Sequence, residues 1–150
     1  MAEASFPCPH ETDPDIFRES LSYSEGVTGF TASLIEKDYY CSLILHHLFD
    51  RETPLVFKGR TCLSKVYADF YRLSEDLDLV IPVSVDIPRN QRRSKMDPMK
   101  GIFDELPAVV PGISVSSSQD VFTPQVPLDG HGEVFFWTDS SAGLAENTFG

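Results

Sequence analysis

Apolar residues recur at Leu34, Ile35, Tyr39, Leu43, Ile44 and Leu48. That spacing follows the 3.6-residue period of an amphipathic helix and predicts one over residues 33–50. Ser33 and Glu36 make an S-x-x-E pattern, which predicts a capping box at its start. Pro54 sits just past its end, where a helix cannot continue. Residues 54–58 (PLVFK) read as a short apolar strand, and Gly59 with Arg60 as a turn. A second helix is predicted over residues 61–71, with Leu63, Val66, Tyr67 and Phe70 on its apolar face. Residues 76–81 (DLDLVI) alternate and then become fully apolar, as in a strand entering a core. The order helix, strand, turn, helix, strand predicts a βαβ-like or helix-connected sheet unit.

The flanks are less periodic. Residues 1–30 are rich in Pro, Ser, Thr and Gly, and read as an arm or loosely packed lead-in. Their one short helical face is Ile16, Phe17 and Leu21. Residues 82–95 form a polar connection carrying Arg89, Arg92, Arg93 and Lys95, either a solvated linker or a contact for RNA or triphosphate. Asp97-Pro98 reads as a helix start, with the helix running to about Leu106 before Pro107 and Pro111 break the pattern. Residues 112–118 and 133–138 read as strands, linked by a stretch holding Pro124, Pro127 and Asp129-Gly130. The expected fold is α+β: a small mixed sheet flanked by helices over residues 31–139, with a frayed tail at 140–150.

Composition narrows the choices. At 150 residues one domain is the default. The net charge of −11 argues against a surface made basic for general nucleic-acid binding, though not against a local basic groove. No apolar run reaches the ~20 residues of a membrane span, and the first ten residues lack the pattern of a signal peptide. Cys8, Cys41 and Cys62 form no paired or clustered motif, so neither a disulfide framework nor a zinc site is expected. A cytoplasmic location fits these features. His46 and His47 have no partner at helical metal-ligand spacing and read as structural.

The chemistry concentrates between Pro54 and Ile81. A strand runs into Gly59 and a helix follows at once. Glycine permits a tight turn and close approach of a ligand, and the helix start presents unpaired N–H groups. Thr61 and Ser64 add hydroxyls, so this is a candidate phosphate cradle. The GxxxxGK[ST] spacing of a P-loop is absent. Asp76 and Asp78, two apart on a strand, share one face. Two carboxylates so placed suit Mg²⁺ and, through it, triphosphate oxygens.

LVFKGRTCLSK followed by RLSEDLDL resembles the FKGGT-x-LSK and R-x-SEDIDL motifs of the AbiEii/AbiGii toxin family, nucleotidyltransferases of polymerase-beta-like fold. IEKDYY (Ile35 to Tyr40) resembles that family's EKD-containing helix, which brings Glu36 and Asp38 toward the site. The likeness covers about residues 33–81. It implies a toxin–antitoxin nucleotidyltransferase that moves a nucleoside monophosphate from a nucleoside triphosphate to an acceptor, with RNA, which some members use, as the expected class, beside a cognate antitoxin and away from membranes. By motif position, Asp76 and Asp78 hold Mg²⁺ and are catalytic together with Lys65, while Gly59, Arg60, Thr61 and Ser64 take the triphosphate side. Two departures stand out. Arg60 replaces a second small residue, either straining the turn or reaching a phosphate as a charged fork. The family's further acidic residue has only Glu133, Asp139 and, more weakly, Asp120 as candidates. The alternative reading is a catalytically incomplete member that binds a nucleotide or a partner protein.

Overall fold

The computed structural model describes residues 8–67, 73, 76–82, 88–118, 121–126, 132–133 and 135–139, with the backbone alone at 76, 89, 92, 93, 96 and from 116 onward. Helix α3 (Ala32–Phe49) is the central element. Cys41, Ile44 and Leu48 are fully buried on it, and Tyr40 and Leu43 almost so. Its cap is not the expected capping box. Thr31 takes the N-cap position, and its hydroxyl accepts the Leu34 N–H at 3.3 Å. Thr31 is extended (φ −66°, ψ 146°), as a capping residue must be. Ser33 lies inside the first turn.

The lead-in is largely helical. α1 (Pro9–Thr12) and α2 (Pro14–Thr28) each begin with proline at the first helical position. The Asp13 carboxylate accepts the Ile16 N–H, and Gly29 at φ 76° closes α2. Both helices are tied to α3. Phe17 packs on Tyr39 with ring centres 4.8 Å apart. The His10 imidazole donates from Nε2 to the Pro111 carbonyl and accepts at Nδ1 from the Tyr39 hydroxyl, each at 2.8 Å. Burial pushes the Tyr39 phenol up to about 12.

The sheet is mixed. Strands β1 (Val56–Lys58), β2 (Asp76–Val80), β3 (Ser114–Ser118), β4 (Val121–Val126), β5 (Gly132–Glu133) and β6 (Phe135–Asp139) run in the order β1-β2-β6-β4-β3, with β5 on β4. β2 and β6 are parallel, and the other pairs antiparallel. The α+β expectation therefore holds. β1 and β2, although joined through a helix, pair antiparallel and so form a helix-connected unit rather than a parallel crossover. β4 occupies a stretch expected to be a connection. Its Pro124 pairs with Val115 of β3, and proline inside a run argues against a strand when only the sequence is in view.

Helix α5 (Arg89–Asp104) starts well before Asp97 and carries Pro98 inside it. Residues 89–95, expected as a polar linker, thus belong to a helix. An interior proline removes one helical hydrogen bond. Met99 and Phe103 on the same helix are buried in the core, which favours keeping it continuous. α6 (Leu106–Val109) follows, with Leu106 fully buried. Leu77 and Leu79 of β2 meet α3, Phe103 and Leu106 in one cluster. Burying Leu77 and Leu79 sends the intervening Asp78 to the opposite face. Among the described residues, no helix is long and apolar enough to cross a membrane.

Candidate functional site

β1 ends at Lys58, which pairs with Asp78 of β2. The chain then turns at Gly59, whose φ is 79°. Helix α4 (Gly59–Cys62) starts there and continues as a π-helical turn, Leu63–Tyr67. The register therefore sets Gly59 beside Asp78. A Cβ built on Gly59 would lie 2.8 Å from Asp78 Cγ and 3.0 Å from its Cβ, with the carboxylate oxygen closer still. Any side chain there would force the Asp78 carboxylate to shift. The glycine is needed twice: for its left-handed backbone, and for the room it leaves the carboxylate.

Arg60 lies inside α4, in helical backbone, and is exposed. The left-handed residue is Gly59 alone, so Arg60 places no strain on the turn. Thr61 and Ser64 are buried at 1% and 3% exposure, and the Ser64 hydroxyl donates to the Thr61 carbonyl at 3.1 Å. Lys65 crosses to α3. Its ammonium meets Asp38 Oδ1 at 2.7 Å and donates to Ser42 Oγ at 3.0 Å. The EKD segment and the LSK segment are thus physically joined. Ser42 carried no sequence signal, because a polar residue one helical turn from Asp38 means nothing until a partner arrives from another element.

Asp76 opens β2 two residues before Asp78, the same parity along the strand. On the neighbouring strand the pairs are Asp76↔Phe135, Asp78↔Trp137 and Val80↔Asp139. Asp139 therefore holds the parity of Asp76 and Asp78 at a register position next to theirs. Glu133 lies in β5, opposite Gln125. β5 and β6 keep one register against β4, since Phe122↔Phe136 continues Gln125↔Glu133 three residues along on both strands. Asp120 lies outside the described residues. Among the described residues no three His, Cys, Asp or Glu side chains gather as a metal cluster. The hard oxygen donors of an Asp-x-Asp strand, with a glycine cradle against the second of them, fit Mg²⁺.

The remaining candidates take structural places. His47 is buried, with Nε2 3.4 Å from the Ile102 carbonyl. Burial pushes the Cys62 thiol up, and does the same for Cys8 with help from Glu11. None of the three cysteines is in a disulfide. An open groove of 810 Å³ between α1, α2 and α3 is lined by His10, Phe17, Glu36 and Tyr40, and by no residue of Gly59–Tyr67.

Comparison with curated proteins and with solved structures gives no match. A family model does match: the nucleotidyl transferase AbiEii toxin of a type IV toxin–antitoxin system, over residues 44–144. The match takes in the glycine turn, the Asp-x-Asp strand and β6, and starts after the EKD segment. It covers well over half of the chain, which therefore belongs to the AbiEii nucleotidyl transferase toxin family.

Proposed function

We propose that this chain transfers a nucleoside monophosphate from a nucleoside triphosphate to an RNA acceptor, with Asp76 and Asp78 holding Mg²⁺. The observation that carries the reading is the seating of the Asp78 carboxylate against the Gly59 turn. It joins the acidic strand to the proposed phosphate-side segment at the distance of direct contact. The exposed Gly59 and Arg60 meet the triphosphate, and the buried Thr61 and Ser64 support that turn from beneath. The acceptor hydroxyl attacks the α-phosphorus, a new P–O bond forms, and the bond to pyrophosphate breaks. When bound, Mg²⁺ supplies positive charge at the phosphate oxygens. Asp139 is the third carboxylate, taking up the proton of the acceptor hydroxyl, because its register position adjoins that of the acidic pair. A cognate antitoxin is the proposed protein partner, as the type IV system of the family implies.

The test is incorporation of labelled nucleotide into total RNA with Mg²⁺, one triphosphate at a time, beside Asp76→Ala/Asp78→Ala. Label entering RNA with the wild type only supports the transferase. Folded wild-type protein that binds a triphosphate but transfers nothing would replace it with a non-turnover binding role.

A further inference from the structure

The Lys65–Asp38 ion pair differs from three others in its burial. Arg18–Asp15, Arg51–Glu105 and Lys100–Asp97 are all 40% or more exposed. Such pairs contribute little. Lys65–Asp38 is 8% and 16% exposed, and it joins two elements distant in sequence. Asp38 and Ser42 stand one turn apart on α3, so both reach the same ammonium. The polarity is consistent: Lys65 donates to Ser42 Oγ, which donates in turn to the Asp38 carbonyl at 2.9 Å. The end of this tether is a π-helical turn, a form that is rare and frequent at functional sites. The turn carries Ser64 and directly follows Cys62, the residue after Thr61.

We infer that Asp38 is a positioning residue for the nucleotide site, acting through its ion pair with Lys65 to fix the segment Gly59–Tyr67 on α3. The role rests on the nucleotide-binding reading above. Lys65 then serves by its place in this tether, with its charge matched by Asp38 rather than given to phosphate.

The experiment pairs two readouts on Asp38→Asn, Lys65→Met, the double variant and Asp38→Glu. The first is amide hydrogen exchange over residues 59–67, which is indifferent to any activity. The second is affinity for Mg²⁺-ATP, GTP, CTP and UTP. Each single neutral variant is expected to speed exchange in that segment and to weaken the preferred triphosphate about tenfold. The double is expected to be no worse than either single, and Asp38→Glu to recover most of the loss. The double variant removes both charges of the pair together, so it keeps the fold even where a single variant does not. Weakened binding in Lys65→Met alone, with Asp38→Asn unaffected, would overturn the inference and make Lys65 a direct phosphate contact. Unchanged exchange at residues 59–67 would also overturn it. A wild type that binds none of the four triphosphates would sink the nucleotide reading and the positioning role with it, while faster exchange in the variants would still mark the tether.

Discussion

The Asp78 carboxylate lies against the Cα of Gly59, in space that any Cβ on that residue would occupy. The antiparallel pairing of Lys58 with Asp78 brings them together, and the left-handed backbone of Gly59 keeps them in contact. Gly59→Ala therefore carries two penalties. The left-handed conformation costs an alanine about 1 kcal/mol. The new methyl also pushes the carboxylate aside, and displacement of a reacting group by about 1 Å costs on the order of a hundredfold in rate. Gly29 separates the two. It has φ 76°, and a methyl placed there would meet nothing within 4 Å. Thermal melts and transfer assays should show Gly29→Ala losing about 1 kcal/mol and no activity, and Gly59→Ala losing more stability and most of its transfer. Equal activity in the two variants would separate the Gly59 contact from function.

Asp139 and Glu133 are distinguished by register. Asp139 is paired with Val80, two residues beyond Asp78 on the adjoining strand, whereas Glu133 is paired with Gln125 of β4. Loss of a proton-accepting carboxylate lowers turnover by roughly a hundred- to ten-thousandfold. Asp139→Asn is expected to fall in that range, with triphosphate affinity retained, and Glu133→Gln to stay within about threefold of wild type. The reverse ranking in single-turnover assays would move the third carboxylate to Glu133.

Much of the candidate site was legible because it is local. The distance along the chain from Gly59 to Asp78 and the parity of Asp76 with Asp78 are properties of one strand-turn-helix-strand segment. Periodicity also identified Leu43, Ile44 and Leu48 of α3 and Leu77 and Leu79 of β2 as core, but it missed Tyr40 and Cys41, and the expected apolar face of Leu63, Val66 and Tyr67 is exposed, with Phe70 outside the described residues. What failed to show was decided by tertiary context. Ser33-x-x-Glu36 is a valid capping pattern, yet Thr31 lies two residues earlier and caps instead. Asp97-Pro98 is a valid helix start, but Met99 and Phe103 are buried from a helix that is already under way. Pro124 disguised β4. The lead-in hid two helices because their main anchors, His10 to Pro111 and Phe17 to Tyr39, span 101 and 22 residues. Lys65 and Asp38 were each singled out by motif, but no spacing rule pairs residues on separate helices.

The capping assignment makes its own prediction. Thr31→Ala removes the hydroxyl that shares the Leu34 N–H with Thr31's own carbonyl, 3.3 Å against 3.0 Å, and should cost about 1 kcal/mol in denaturant unfolding. Ser33→Ala removes nothing that caps α3, and should lie within about 0.5 kcal/mol of wild type. A larger loss at Ser33 would restore the capping box suggested by the sequence pattern.

His47 gives the fold a pH dependence of definite sign. The imidazole is buried on α3, and burial is the main cause pushing its pKa down from the usual 6.5. Arg51 adds to that, while the Ile102 carbonyl, Glu105 and Asp50 oppose it. The folded state thus resists a proton that the unfolded chain accepts. Well above pH 6.5 both states are neutral at this residue, and stability does not depend on it. As pH falls below 6.5 the unfolded chain is protonated first, and stability is lost until the folded pKa is passed. Melting temperatures measured from about pH 8.5 to about pH 5 should therefore decline more steeply in wild type than in His47→Gln, with the two curves parallel above about pH 7.5. Carboxylates contribute to both curves alike, so the difference isolates the histidine. A wild type that gained stability on acidification relative to His47→Gln would mean that the imidazole is charged in the folded protein, held by Glu105 and Asp50 against its burial.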